Sequence, residues 1–403
     1  MKIAGIIAEY NPFHNGHRYH IEETRRITGC DAVVVVMSGD FVQRGVPAVT
    51  DRFVRAEAAL RCGADLVLEL PMYGATASAE DFALAGIRAL AGLGCVDVVS
   101  YGAEDADRGT ETFRTIAQFL LDEPGAFKQQ LLAYVHEGNS YAKARSLALA
   151  DFFPEAATLL SRPNNILAVE YEKAILATGS NLATCAIGRS DLGYHDTTVG
   201  SVCSATAIRG AIAEGGLVPA EAVPAEVLPL YEKLTAKTAV TADDFSDILF
   251  AALSQHTADS LSQVYDVPAD LANRILEQAE RPFTWTSLAE SVKCKAYTRS
   301  RIDRALCHCL LGLTQDAADR FKSATPYLRV LGLRKGAEDI VSAAERSASF
   351  PLLVRFLRDS SRLTGDAAEL LATDLRASAL YSQVLFRKSG IVREDTHRRL
   401  LTV

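Results

Sequence analysis

Residues 1–20 read MKIAGIIAEYNPFHNGHRYH, and this stretch decides the fold. The apolar run at 3–8 predicts a buried strand, and a turn at Asn11 and Pro12 separates it from a helix that begins near His14. The backbone N–H groups at the start of a helix that follows a parallel strand suit phosphate. His14 and His17 share one helix face, and Gly16 between them leaves room for a ligand. The stretch therefore predicts a nucleotide site with chemistry at a phosphorus atom.

Short apolar runs recur through the first half of the chain, at residues 3–8, 32–37, 65–70, 96–101 and 183–187. Helical patterns separate the first four runs. Strand–helix alternation at about thirty-residue spacing predicts an α/β fold with a doubly wound parallel sheet and helices on both faces. Ligands of such sheets bind at the carboxyl ends of the strands. We therefore expect site residues in the segments that follow these strands, at 9–17, 38–44, 71–72, 102–104 and 189–196.

The pattern changes after residue 216, where Pro219, Pro224 and Pro229 fall close together. Clustered prolines indicate a linker or a domain edge. From about residue 241 onward amphipathic helical patterns dominate, and strand signals are few. We predict an α/β nucleotide-binding domain at 1–225 and a mostly α-helical domain at 226–403.

The composition is that of an ordinary globular protein, with 49% hydrophobic and 23% charged residues. No apolar run is long enough to cross a bilayer, so we expect a cytoplasmic protein with no membrane partner. Eight cysteines are scattered without paired spacing, which favours buried, reduced thiols. Cys307, His308 and Cys309 form a cluster, but no second pair completes a zinc site, and we predict no metal centre there. The net charge of −8 leaves nucleic acid open, because an acidic average can hide a local basic patch.

A second motif, S-x-T-x-x-R, spans residues 204–209 and is expected to open another helix. Ser204 is a good N-cap, and Thr206 and the N–H groups of the first turn can bind phosphate oxygens. Arg209 lies one turn further on, and its guanidinium suits the β- and γ-phosphates and the departing pyrophosphate. A plain capped helix with a surface arginine is the alternative interpretation.

The H-x-G-H and S-x-T-x-x-R motifs together resemble those of the nucleotidyltransferase superfamily. Its members catalyse attack of a substrate on the α-phosphate of a nucleotide, with loss of pyrophosphate. Further blocks are similar, in order along the chain, to the bacterial tRNA(Met) cytidine acetate ligase family. They are AEYNPF at 8–13, MSGDFVQRG at 37–45, GADLVLELP at 63–71, RPNNILAVEY at 162–171, GYHD at 193–196 and KAYTRSR at 295–301.

This resemblance implies an ATP-dependent ligase that activates acetate as acetyl-adenylate, releasing pyrophosphate. The acetyl group would then pass to N4 of the wobble cytidine, position 34, of elongator tRNA(Met), forming N4-acetylcytidine and AMP. Residues 1–225 would be the catalytic domain and 226–403 the tRNA-binding domain. His14, His17 and Arg209 would be the catalytic residues. ATP, expected to come with Mg²⁺, would be bound by Ile7, Ala8, Glu9, Tyr10, Asn11, Pro12, Phe13, His14, Asn15, Gly16, His17, Arg18, Tyr19, His20, Gly102, Asn164, Arg189, Ser204 and Thr206.

A basic stretch in the second half suits an RNA backbone and an unstacked base, because it interleaves cations with one aromatic ring. It comprises Lys293, Lys295, Tyr297, Arg299, Arg301 and Arg304. A solvated helix face is the alternative. Asp40, Gln43 and Arg44 could meet the tRNA or the acyl-adenylate, or serve as a structural loop, and Glu9 and Asp40 could hold magnesium.

Two other functions fit the same motifs. The first is an adenylyltransferase that acts on a small phosphate-bearing metabolite, and the second is a non-catalytic module that binds tRNA or a nucleotide. The basic stretch favours the tRNA ligase over a small-molecule enzyme, since the latter needs no RNA surface. Retention of both histidines and Arg209 argues against a binding module. No acetate pocket and no oligomeric state follow from the sequence.

Overall fold

The computed structural model describes residues 1–188, 204–324 and 326–403. The strands are β1 (Ile3–Ala8), β2 (Ala32–Ser38), β3 (Phe41–Val42), β4 (Val46–Pro47), β5 (Leu66–Leu70), β6 (Val98–Ala103), β7 (Ala183–Gly188), β8 (Leu328–Leu333), β9 (Leu352–Leu353) and β10 (Leu401–Thr402).

The helices of the first half are α1 (Asn15–Thr28), α2 (Arg52–Arg61), α3 (Met72–Ala75), α4 (Ala79–Leu93), α5 (Thr110–Asp122), α6 (Gly125–His136), α7 (Tyr141–Ala150), α8 (Ala156–Leu159), α9 (Pro163–Thr178) and α10 (Ala205–Ala213). Those of the second half are α11 (Leu228–Tyr231), α12 (Ser246–Leu253), α13 (Ala258–Leu261), α14 (Ala269–Ala279), α15 (Trp285–Val292), α16 (Arg299–Leu311), α17 (Gln315–Ser323), α18 (Glu338–Ser347), α19 (Phe356–Ser360) and α20 (Gly365–Ser389).

A twisted sheet with the order β10-β8-β5-β2-β1-β6-β7 organises the molecule. Strands β5, β2, β1, β6 and β7 are parallel, which confirms the predicted doubly wound α/β class. β1 lies at the centre, with β2 on one side and β6 on the other. The chain leaves the centre in both directions, so a crevice forms at the carboxyl end of β1.

Both faces of this sheet are buried. Along β2, Val33 and Val35 pack into one hydrophobic cluster, and Val34 and Val36 pack into a second cluster on the opposite face. Alternate side chains of a strand point to opposite faces, so a strand covered on both sides is apolar throughout. This explains why β2 reads as an almost continuous apolar run in the sequence.

The second half of the chain also supplies strands to this sheet. β8 pairs antiparallel with β5, and β9 and β10 pair with β8. The sequence showed few strand signals after residue 241, but LRVLGL in β8 is buried at all six positions. A short apolar run fits a buried helix as well as a strand. Here the run forms a strand because it pairs with β5, whose Glu69 lies 260 positions before Arg329. The boundary near residue 225 stays a prediction.

Across the described segments, no helix has the length and apolar character needed to cross a bilayer.

Candidate active site at the carboxyl end of β1

The two histidines of the H-x-G-H motif build the start of α1. His14 is the N-cap, and its Nδ1 accepts a hydrogen bond from the Gly16 N–H at 3.1 Å. His17 closes the cap in the other direction, because its Nδ1 accepts the His14 N–H at 3.3 Å. The rings stack with centroids 3.8 Å apart.

This double cap fixes the tautomer of both imidazoles. A neutral histidine whose Nδ1 accepts a hydrogen bond carries its proton on Nε2. Both Nε2–H groups are therefore donors at the N-terminus of α1, where the backbone amides and the helix dipole also favour an anion. Such an arrangement can stabilise negative charge on a phosphate.

Aromatic contacts hold His17 in position. The rings of Tyr10 and Phe13 lie 4.8 and 5.5 Å from the ring of His17, measured between centroids. The Phe13 N–H donates to the Tyr231 hydroxyl at 2.9 Å, which anchors the turn to α11. The sequence analysis did not identify Tyr231, since no local pattern connects positions 218 residues apart.

The second motif meets the first at this turn. Ser204 caps α10 by accepting the Ala207 N–H at 3.2 Å, as predicted for an N-cap. Arg209 donates to the Asn11 carbonyl at 2.5 Å and to the Thr206 hydroxyl at 3.1 Å. Burial lowers the pKa of Arg209, Glu9 opposes this effect, and the positive charge of Arg44 adds to it. A phosphate at this turn would therefore relieve repulsion between two arginines.

Gly102 and Asn164 lie on the other side of β1. Gly102 is the penultimate residue of β6. Asn164 lies in the first turn of α9 and donates through Nδ2 to Glu104 Oε1 at 2.6 Å. Asn165 accepts the N–H groups of Glu104 and Asp105 through Oδ1, at 3.0 and 3.1 Å. Glu104 and Asn165 thus fix the end of β6 to the start of α9. Glu104 lies in a segment where the sequence predicted site residues, whereas the sequence analysis assigned no separate role to Asn165.

The remaining positions of segment 7–20 divide by location. Ile7 and Ala8 are half-buried at the end of β1. The Asn15 side chain donates to the Glu221 carbonyl, and the His20 ring lies 3.1 Å from the Ser100 hydroxyl. Arg18 pairs with Glu22 of its own helix and with Glu226. Arg189 lies outside the described residues, as does the GYHD block at 193–196.

A hairpin formed by β3 and β4 closes one side of the site. The Gln43 N–H at its turn donates to Glu9 Oε1 at 2.8 Å. Gly45 has a φ of +74°, and a Cβ atom there would lie 2.4 Å from the Cα of Arg304 in α16. The hairpin therefore packs backbone to backbone against the helix that carries the predicted tRNA-binding arginines. Arg44, at the same turn, is exposed.

Asp40 does not face the site. It is 3% exposed and binds Arg393 through both carboxylate oxygens, at 2.7 and 2.8 Å, and Arg52 at 2.7 Å. Burial raises the pKa of Asp40, but Arg393 and Arg52 outweigh it and lower the pKa to about 2. Of the roles considered for Asp40, the geometry supports the structural one rather than contact with magnesium, tRNA or the adenylate.

Asp40 belongs to a larger buried ionic cluster. Arg52 also contacts Glu69 at 3.2 Å and pairs with Asp395, and Arg329 contacts Glu69 at 3.3 Å and Asp395 at 2.7 Å. The cluster joins β2, α2, β5 and β8 to the C-terminal segment. We call these six residues the Asp40 cluster: Asp40, Arg52, Glu69, Arg329, Arg393 and Asp395.

The predicted tRNA-binding stretch is folded against acidic partners. Arg299 contacts Glu290 at 2.7 Å and Asp303 at 2.8 Å. Further ion pairs join Lys293 to Glu290, at 3.7 Å, and Arg301 and Arg304 to Asp266, at 3.0 and 3.6 Å. Lys295 is exposed and donates to the Glu137 carbonyl at 3.3 Å.

Tyr297 is 8% exposed, and its hydroxyl donates to Asp270 at 2.5 Å. Arg301 covers its ring at 5.3 Å. The geometry therefore gives Tyr297 a packing role, and its ring offers no open face for a base.

The cluster around His308 is structural. His308 is fully buried; its Nδ1 lies 2.9 Å from the Tyr265 carbonyl, and its Nε2 lies 3.2 Å from the Thr76 hydroxyl. Burial lowers the pKa of His308 to about 4, despite the raising effect of the Tyr265 carbonyl. No group of three or more His, Cys, Asp or Glu side chains that could hold a metal ion occurs in the described part of the chain.

The fold and the paired motifs define a class of protein, and comparison with known families agrees. A family model described as HIGH Nucleotidyl Transferase matches residues 1–395. The tRNA(Met) cytidine acetate ligase of Acetivibrio thermocellus is 36% identical, covering 97% of this chain and 98% of the relative. That of Caldicellulosiruptor saccharolyticus is 38% identical, covering 95% and 94%. The chain belongs to the tRNA(Met) cytidine acetate ligase family within the HIGH nucleotidyltransferases, as the sequence motifs predicted.

Solved structures agree with this assignment. The crystal structure of Thermotoga maritima TmcAL bound with alpha-thio ATP matches with a TM-score of 0.89 at 28% identity, over 100% of both chains. The apo form of the same protein matches with a TM-score of 0.90 at 29% identity.

Proposed function

We propose that this protein activates acetate with ATP and transfers the acetyl group to N4 of the wobble cytidine, position 34, of elongator tRNA(Met), yielding N4-acetylcytidine, AMP and pyrophosphate. One observation carries the proposal: Arg209 binds the Asn11 carbonyl in the turn that presents the two capping histidines. The three predicted catalytic residues are thereby brought together from positions almost 200 residues apart. The names of the relatives, and the ATP analogue bound to the T. maritima structure, support this reaction.

In the first step an acetate oxygen attacks the α-phosphorus of ATP, and the bond from that phosphorus to the pyrophosphate oxygen breaks. Negative charge grows on the α-phosphate oxygens in the five-coordinate transition state. The Nε2–H groups of His14 and His17 are donors fixed in advance, so they stabilise this charge without reorganising. Arg209, with Ser204 and Thr206 at the start of α10, takes the leaving pyrophosphate.

The nucleoside is assigned to the crevice between β1 and β6. Gly102 lets a ring approach the backbone at the end of β6, and Asn164 lies beside it on Glu104. Magnesium would enter with ATP, coordinated by phosphate oxygens and water. Among the described residues no group of three or more His, Cys, Asp or Glu side chains could hold the ion by itself.

In the second step the N4 amine attacks the acetyl carbonyl carbon. The bond between that carbon and the phosphate oxygen of the adenylate breaks, AMP leaves, and N4 loses a proton. The tRNA must therefore reach the same crevice. The β3–β4 hairpin, with Arg44 exposed, connects the crevice to α16, and Lys293 and Lys295 are exposed before that helix. We propose that the tRNA lies along this path and also contacts Arg299, Arg301 and Arg304. We place the reaction in the cytoplasm, where free thiols such as the seven described cysteines persist.

The test combines two assays. Exchange of labelled pyrophosphate into ATP, dependent on acetate, reports the adenylate, and mass spectrometry of digested tRNA(Met) reports N4-acetylcytidine. His14→Ala, His17→Ala and Arg209→Ala should each lower both rates by about 100- to 1,000-fold. His256→Ala is the matched control, since this half-buried histidine belongs to neither motif and its Nδ1 hydrogen-bonds the Ser260 hydroxyl of α13. Adenylylation of a small phosphate-bearing acceptor with unmodified tRNA would show that the alternative function is correct.

A further inference from the structure

A cavity of about 660 Å³ opens at the edge of the sheet, away from the candidate active site. At this edge β8 pairs with β9 at its start and with β10 at its end. Residues 354–358, which follow β9, form one wall, and residues 396–400, which precede β10, form another. Glu338, Val341 and Ser342 of α18 complete the lining together with Leu333.

The charge of this lining is strongly positive in a protein of net charge −8. Its cations are Arg355, Arg358, Arg398 and Arg399, and Glu338 is its single carboxylate. Arg358 pairs with Asp359 at 2.7 Å, and Arg398 lies over the ring of Phe53 at 4.4 Å. Arg355 and Arg399 are exposed, and neither forms an ion pair within residues 1–188, 204–324 and 326–403.

This surface differs from the stretch before and along α16. There the arginines already face Glu290, Asp303 and Asp266, so much of their attraction for a phosphate is cancelled. At the cavity, Arg355 and Arg399 keep their full attraction for a phosphate, because neither pairs with a carboxylate of the described residues. The lining between the cations is apolar. It includes Leu357, which is 53% exposed, and Phe356, which is half-buried with the Arg329 guanidinium 4.1 Å from its ring. Cations around an exposed apolar surface suit a polyanion with apolar, flat bases, which describes an unpaired stretch of RNA.

The C-terminal segment fixes this cavity relative to the catalytic crevice. Arg393 and Asp395 belong to the Asp40 cluster, whose Asp40 lies two residues after the end of β2. The cavity wall begins at Thr396, the residue after Asp395. β8 lies three strands from β1, which corresponds to roughly 15 Å across the sheet. A single RNA molecule can therefore contact both places.

We propose that this cavity is a second RNA-binding site, which takes an unpaired nucleotide and its flanking phosphates from the tRNA substrate. The inference rests on the proposed function, because it assumes that the RNA is the acetyl acceptor. The cavity volume of about 660 Å³ fits this proposal, since about 300 to 1,000 Å³ is usual for sites that enclose small organic groups.

The test uses the full chain with Arg355→Ala/Arg399→Ala and an in vitro transcript of elongator tRNA(Met). If each arginine neutralises one phosphate of a single strand, the slope of log K against log salt should fall by about 1.4. The same relation gives an affinity loss of about 25-fold at 0.1 M salt, which shrinks as salt rises. Acetate-dependent pyrophosphate exchange, which needs no RNA, should stay unchanged and shows that the variant is folded.

Two matched variants sharpen the test. Lys237→Ala/Arg281→Ala removes two exposed cations elsewhere and should leave the slope as in the wild type. Arg355→Lys/Arg399→Lys keeps both charges and should restore most of the affinity. If the alanine pair at the cavity behaves like the control pair while the wild type acetylates tRNA, the second site is refuted and the proposed function stands. A wild type that neither binds nor acetylates the transcript refutes both.

Discussion

Asp40→Asn tests the Asp40 cluster, which joins the C-terminal segment to the sheet. The cluster contains three carboxylates and three guanidinium groups, all within the same interior region. Asp40 accepts from Arg393 and Arg52, so its replacement by a neutral amide leaves one positive charge without compensation.

The expected loss can be estimated in two ways. Breaking a buried ion pair from one side costs about 3 to 5 kcal/mol, because the remaining charge stays buried. The pKa of Asp40 is lowered from 3.8 to about 2, which corresponds to roughly 2.5 kcal/mol. Since the folded value lies below the unfolded one, this stabilisation is present above about pH 4 and is lost as the pH falls from 3.8 towards 2. The pair Asp40→Asn/Arg393→Met should recover part of the loss, since it restores the balance of charge.

Urea denaturation at pH 7, followed by circular dichroism, measures these changes. Asp107→Asn is the matched control, because Asp107 is exposed and forms no ion pair within the described part of the chain. We expect Asp40→Asn to lower the free energy of unfolding by about 3 kcal/mol or more relative to this control. A difference below about 1 kcal/mol, together with additive effects of the two substitutions, would refute the reasoning.

Three further predictions concern other parts of the fold. Gly45→Ala should destabilise more than Gly29→Ala in urea denaturation, because both glycines have positive φ but only the first would place its Cβ against the backbone of Arg304; equal losses would contradict the packing. Below pH 6.5 the unfolded chain takes up a proton that buried His308 does not take up until about pH 4, so the free energy of unfolding should fall by about 1.4 kcal/mol per pH unit, a slope that His308→Gln should remove. In the native protein a thiol reagent should modify at most four of the eight cysteines, the protected ones being Cys30, Cys62, Cys307 and Cys309.

The parallel part of the fold was predictable because its information is local. The central strands β1, β2, β5 and β6 are mostly apolar runs, and β2 and β5 are buried at every position. The same reasoning missed β8, whose apolar run contains Arg329, because its place beside β5 depends on a contact between positions such as Leu66 and Leu333. The two phosphate motifs were recognisable for a related reason. A helix cap needs only residues three or four positions apart, as in His14 with His17 and Ser204 with Ala207.

Charge was the less predictable property, because its effect depends on partners that are distant in sequence. Residues 293–304 carry five cations against one acid, so a count of charges along the sequence favours them as the RNA-binding surface. Folding brings Asp266 to Arg301 and Arg304, 35 and 38 positions away, and so reduces their attraction for phosphate. Arg398 and Arg399 are adjacent in sequence and pointed to an extension of the RNA surface, but Arg355 is far from them, and only the sheet edge places all three on one cavity. The relative effect of Arg301→Ala, which removes a paired cation, and Arg399→Ala on the salt slope of tRNA binding will therefore show whether local charge density or unpaired charge decides where the RNA binds.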